Sequence, residues 1–300
     1  MQLDRIFSLA NKTVRLQFLA MERSLRAAGC RLPLAVIPYD DNLFDLPPNA
    51  SWFTDQPLFD WLREYRCHPT MRKYVCLLHA NYHFLDADIV VLRNPEEVVA
   101  PLDGLVTSCT EWCKPQWTYT ESSARYFYDR TSTWMRDVFS TGQFAIDRQL
   151  YTRESLSQTA TSPPFIDTCI RYRWHEQPGI NQLVLATHIP RTNLTLPPHH
   201  MESTWAGDYP GEYEHLWVDP AKKPYLIHWA GPDTLDIDRP ISQLFYTYLS
   251  AAERQEWDAL SSRRRIMADR AARRARGPMR RVARFLKRTL TGEPKNQARP

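Results

Sequence analysis

Residues 5–38 read RIFSLANKTVRLQFLAMERSLRAAGCRLPLAVIP, and three apolar patterns follow one another within them. Arg5 to Ala10 is a short apolar run of strand character. From Val14 to Ala28, the residues Val14, Phe18, Met21 and Leu25 recur at helical spacing, and Gly29 follows as a stop signal. Leu34 to Pro38 is a second apolar run, closed by the acidic turn Asp40-Asp41-Asn42. Strand, helix and strand in close succession make a βαβ unit, which implies parallel pairing and a right-handed crossover. The fold class is α/β.

Downstream, Thr70 to His79 has helical character and leads into YHFLDADIVVL, residues 82–92, where two apolar half-strands flank a pair of carboxylates. Further strand-like pieces stand at Leu105 to Ser108, Phe144 to Ile146 and Tyr225 to His228. With 23 Pro and 9 Gly the connections read as stiff. The globular part is expected to end near Leu249, giving a domain over 1–250 and a tail over 251–300.

Asp86 and Asp88 interrupt a stretch that otherwise reads as buried strand, and burying ionised carboxylates without a partner is costly. Side chains two apart on an extended chain share a face, so both can converge on one ion. Oxygen ligands suit Mg²⁺ or Mn²⁺, which commonly bind a few carboxylates together with substrate phosphates. The plainer alternative is a solvated turn carrying two Asp. The flanking apolar runs and the closing Asn94-Pro95 favour a metal site.

The segment LDADIVVL resembles the metal-binding segment of GT-A-fold glycosyltransferases, especially the glycogenin-like and bacterial lipopolysaccharide galactosyltransferase-like group. Three later segments fall in that family's order: Ser140-Thr141-Gly142-Gln143-Phe144, Glu176-Gln177-Pro178-Gly179-Ile180-Asn181, and His228-Trp229-Ala230-Gly231. The resemblance spans about residues 5–232 and implies a mixed, mostly parallel sheet flanked by helices. It also implies sugar transfer from a nucleotide-sugar donor to a glycan or lipid-linked acceptor, with Mn²⁺ or Mg²⁺ as cofactor and no nucleic acid as partner.

By that resemblance His228 is the third metal ligand beside Asp86 and Asp88; a lone histidine would otherwise be read as a core residue. Ala10 and Asn11 match positions that hold the nucleoside, and the acidic turn at Asp40 and Asp41 is a weaker candidate for the same pocket. Arg72 and Lys73, with Ala87 and Gly231, resemble residues near the diphosphate, although a helix-surface salt bridge explains Arg72 and Lys73 almost as well. Ser140, Thr141, Gly142, Asn181 and Trp229 fall where the family meets sugar or acceptor. Gln177, at a position near the anomeric carbon, and Glu176 are by the same resemblance the candidate catalytic residues. Ser140-Thr141 stands where the family has Asn-Ser, and Glu176 where it has Asp.

The formal net charge of +4 hides a division along the chain. Residues 251–300 hold 15 basic and 5 acidic side chains, leaving 23 basic and 29 acidic ones in the preceding 250. From Arg263 to Arg288 there are 12 basic residues and one acid, with Met279, Val282, Phe285, Leu286 and Leu290 interleaved near helical spacing. Residues 263–290 therefore read as a basic amphipathic helix suited to an anionic membrane surface. A disordered tail and a nucleic-acid patch are the other readings. No apolar run approaches the ~20 residues that cross a bilayer, and the six scattered cysteines read as free thiols. MQLDRIFSLANK has no secretory pattern, so the expected setting is the cytoplasm, with possible attachment to the inner face of the membrane.

Three rivals share features of this reading. Haloacid dehalogenase-like phosphatases also end an apolar strand in D-x-D, but at their first strand, whereas here a βαβ unit precedes it. Sugar nucleotidyltransferases carry a Gly-rich basic loop after the first strand, where this chain has SLANKTV. A non-catalytic nucleotide-sugar-binding protein would keep the fold without the chemistry.

Overall fold

Strand β1 (Arg5–Ala10) is buried along almost its whole length, and neighbouring residues face different cores. Ile6 packs with Phe18, Met21 and Leu25 of helix α1 (Arg15–Ala27), whereas Phe7 packs on the other face with Tyr74, Tyr82 and Phe84. Strand β2 (Leu34–Pro38) repeats the division, Val36 on one side and Ile37 on the other. Burial on both faces is what makes parallel strands read as continuous apolar runs rather than alternating ones.

The structure, a computed structural model, describes residues 1–264 except 120, 122, 125–133, 171–175 and 232. The chain divides into two compact units, Met1–Leu249 and Ser250–Pro300. In the second, residues 251–264 form a helix; most of the basic segment 263–290 lies outside the described residues. No helix among the described residues is long and apolar enough to cross a membrane, and all six cysteines are free.

The remaining strands are β3 (Ala50–Trp52), β4 (Tyr82–Leu85), β5 (Ile89–Val91), β6 (Leu105–Thr107), β7 (Gln143–Ile146), β8 (Arg191–Asn193) and β9 (Leu226–His228). Seven form one sheet in the order β3-β2-β1-β4-β7-β6-β8, and β5 and β9 pair separately. The first four are mutually parallel, β7 runs antiparallel to both neighbours, and β6 and β8 are parallel. The parallel pairing of β1 and β2 is that expected of the opening βαβ unit, and the mixed, mostly parallel sheet is that implied by the family resemblance.

Two departures matter for the site. Residues Pro69–Leu78 are helical as expected, but as a ten-residue 3-10 helix that buries Lys73 among Met71, Tyr74, Val75 and Cys76. The apolar run 82–92 is not one extended strand. Its halves belong to different sheets, and Asp86-Ala87-Asp88 is the turn by which the chain crosses from one to the other.

Candidate metal centre

Two strand registers fix the environment of that turn. Leu85 of β4 pairs with Gln143 of β7, so Gly142 lies alongside Asp86, and the Asp86 amide donates to the Gly142 carbonyl at 2.8 Å. Ile89 of β5 pairs with His228 of β9, and the Trp229 amide donates to the Asp88 carbonyl at 3.0 Å. Residues 86, 88 and 228 are therefore brought together by pairing within two separate sheets. One potential ligand atom from each of Asp86, Asp88 and His228 lies within 4.8 Å of the other two. His228 Nε2 is 3.4 Å from Asp88 Oδ1 and 3.9 Å from Asp86 Oδ2.

The convergence expected of the two carboxylates is present, but its cause is the turn and not strand alternation. Gly142 lies directly against them: a Cβ there would come 2.2 Å from His228 Cε1 and 2.7 Å from Asp86 Oδ2. The need for glycine is thus set by the Asp–His cluster, where the sequence had suggested a sugar.

Lys73 is almost completely buried, with Nζ 2.9 Å from Asp86 Oδ1 and 2.9 Å from Glu176 Oε1. The helix-surface salt bridge is corrected by this burial. The ammonium links one candidate ligand to the helix Glu176–Leu185, and a diphosphate would find it already held by two carboxylates. Counting Asp86, Asp88 and Glu176 against Lys73 leaves two negative charges when His228 is neutral. A dication matches that excess.

The same excess moves protons. Burial, with Asp88 and Glu176 nearby, raises Asp86 to about 6 although Lys73 pulls the other way. His228 is disfavoured as a cation by burial, yet Asp88 and Asp86 win and raise it. Burial opposes the charge on Asp88 and Glu176 too, but His228 holds the former below the ordinary carboxylate value and Lys73 the latter.

The other sequence-selected residues separate into groups. Gln177 Oε1 accepts from the Thr141 amide at 3.2 Å, and the Thr141 hydroxyl donates to Glu176 at 3.4 Å. Ser140 Oγ accepts from the Gly142 amide at 3.3 Å. Together they brace the Gly142 backbone. The buried Asn181 amide bonds both Phe139 backbone groups and the Gln177 carbonyl. Trp229 is 1% exposed and packed 4.5 Å from Phe245.

At the end of β1, Ala10 and Asn11 are buried, and Asn11 Nδ2 donates to Asp40 at 2.8 Å, tying the β1 and β2 ends together. Arg72 lies over the Phe59 ring and donates to the Pro38 carbonyl at 2.6 Å, on the same rim. Ala87 is buried in the turn between the two aspartates. Gly231 has φ +88°, a left-handed conformation that favours glycine.

Sequence reasoning missed the cavity that Gln177 and Gly231 share with Trp117, Trp205, Glu111 and Arg239. One signal was legible. The tripeptide Trp-Ala-Gly occurs at 205–207 as well as at 229–231. Trp205 bridges to His228 through the backbone, and its Nε1 donates to the Ala230 carbonyl at 2.8 Å.

The sheet order, the crossing turn and the carboxylate pair at the strand ends define a GT-A-like glycosyltransferase fold. Among solved structures the chain is similar to the apo structure of WbbM, a bifunctional glycosyltransferase, with a TM-score of 0.58 and 13% identity over 85% of this chain and 51% of that one. It thus spans about half the length of that protein. The glycosyltransferase GlyE of Streptococcus pneumoniae TIGR4 aligns more loosely in its apo form, with a TM-score of 0.45 and 11% identity over 87% of this chain and 64% of that one. No protein-family model and no curated protein matches the sequence.

Proposed function

We propose that the chain is a metal-dependent glycosyltransferase that moves a sugar from a nucleoside-diphosphate donor to a glycan or lipid-linked acceptor. The observation that carries this reading is the Asp86, Asp88 and His228 cluster, whose potential ligand atoms converge within 4.8 Å where β4 crosses to the second sheet. A divalent cation bound there would neutralise the charge that develops on the departing nucleoside diphosphate. The chain supplies the rest. Asp86, Asp88 and His228 hold the ion, with Ala87 backing the turn, and Lys73 and Glu176 fix the Asp86 carboxylate.

The nucleoside end of the donor belongs at the carboxyl ends of β1 and β2, where ligands of open α/β sheets bind. Ala10, Asn11 and Arg72 form that rim. Gly231 lets backbone approach the diphosphate closely, and Gln177, whose Oε1 is held by Thr141, keeps an NH₂ group for the sugar. Residues 263–290, basic and amphipathic, would attach the enzyme to an anionic membrane on the cytoplasmic side.

A thermal-shift panel of nucleotide sugars tests the reading, because a ligand that binds only the folded state raises Tm by mass action. At least one nucleotide sugar should raise Tm with Mn²⁺ and lose that effect with EDTA. A panel in which none does so, with or without Mn²⁺, overturns the proposal.

A further inference from the structure

Beside the metal cluster lies a cavity of about 540 Å³, within the size range of small-ligand clefts at roughly 300–1,000 Å³. Its described walls include no residue from the β1–β2 rim, so it stands apart from the nucleoside end of the site. Two indoles form its apolar part. Trp117 and Trp205 have ring centroids 4.8 Å apart and planes inclined at 56°.

The Trp205 ring is held in place. Trp205 is fixed by its bond to the Ala230 carbonyl, and Gly207 lies so close that a Cβ there would come 2.2 Å from the ring. The Lys114 ammonium stands 4.6 Å from each ring centroid, an arrangement in which a cation meets the negative faces of both indoles. Trp117 nevertheless remains 39% exposed. The polar groups lining the cavity are Glu111, Gln177 and Arg239, one anion, one amide and one cation, and the Lys114 ammonium on the rings is offset by Asp208 at 3.5 Å. Arg239 already donates to the Ala206 and Tyr209 carbonyls at 2.9 and 3.3 Å.

Aromatic faces beside a few polar groups of balanced charge suit a ligand with an apolar face and an edge of hydroxyls that both donate and accept. A pyranose ring has that character. An anionic sugar would place its charge beside Glu111 with Arg239 partly committed elsewhere. We propose that this cavity is the acceptor subsite and takes a neutral pyranoside stacked against Trp117 and Trp205. Gln177 and Gly231, at its wall, place the ring next to the proposed reacting end of the donor. The acceptor role rests on the glycosyltransferase reading; the binding of a neutral pyranoside does not.

Saturation-transfer NMR on the full chain tests it with methyl galactoside, methyl glucoside, glucuronate and a nucleoside as separate probes. A neutral methyl pyranoside should receive saturation on its ring C–H protons. Trp117→Ala should weaken its binding roughly tenfold, and Trp117→Phe, which keeps a stacking face, should retain most of it. The inference is overturned if no neutral pyranoside binds the folded chain, if glucuronate binds better, if the nucleoside displaces the pyranoside, or if Trp117→Ala binds unchanged. Should Trp117→Ala fail to fold, the probe ranking on the unaltered chain and the Trp117→Phe variant still decide. A chain that binds nucleotide sugar with Mn²⁺ but no neutral pyranoside refutes the subsite alone. One that binds the pyranoside but no nucleotide sugar refutes the transferase reading and leaves the subsite standing.

Discussion

Gly142 and Lys73 carry the most information at the scale of single residues, because each touches a candidate ligand without being one. A methyl group at 142 would collide with the imidazole of His228 and with Asp86, both held by the backbone around them. Gly142→Ala should therefore weaken Mn²⁺ binding by at least about tenfold while the chain still folds; isothermal titration would reveal an unchanged affinity if the close approach is irrelevant. Lys73 pairs with two carboxylates in a buried setting. Removing one partner of a buried ion pair costs about 3–5 kcal/mol, because a charge is left without compensation. Lys73→Met should lower stability by roughly that amount in denaturant unfolding, and Glu176→Gln added to it should restore part of the loss. A near-neutral Lys73→Met would mean that the two contacts contribute little.

At the scale of elements, the site depends on β5 and β9 keeping their register beside the main sheet. The buried Tyr225, one residue before β9, ties them to it: its hydroxyl is 3.2 Å from His83 Nε2 and donates to Gln143 Oε1 at 3.2 Å. Tyr225→Phe should cost about 1–2 kcal/mol and lower Tm by a few degrees, since it leaves buried polar groups short of a partner; an unchanged Tm would show the link to be dispensable. The opening β1-α1-β2 unit was legible because each apolar period is long and uninterrupted. Strands β3 and β8 were not, being three-residue segments, Ala-Ser-Trp and Arg-Thr-Asn, that offer no period to count. The carboxylate pair was legible from its apolar flanks, but its turn geometry was not, because β4 and β5 have the same composition whether they form one strand or two. The burial of Trp229 and the clamping role of Asn181 depend on partners far along the chain, Phe245 and Phe139, which local sequence does not indicate.

At the scale of the whole molecule, protons and metal compete for the same side chains. Asp86 and His228 hold protons more tightly in the folded chain than their ordinary values would give. Where the folded state binds more protons than the unfolded one, stability falls as pH rises. For Asp86 that contribution is fully present below its ordinary value of 3.8 and is lost as pH rises through about 6. Metal ligands must shed those protons to bind, so Mn²⁺ affinity should climb between about pH 5 and about pH 8. A flat profile across that range would place the ion elsewhere.

Mn²⁺ binding measured by electron paramagnetic resonance on the unaltered chain and on Asp88→Ala and His228→Ala would decide whether the cluster holds a metal. The unaltered chain should bind the ion, and either variant, still folded, should bind it roughly a hundredfold more weakly. A chain that takes up no Mn²⁺, even with a nucleoside diphosphate present, or variants that bind it as tightly as the original, would contradict a metal site there.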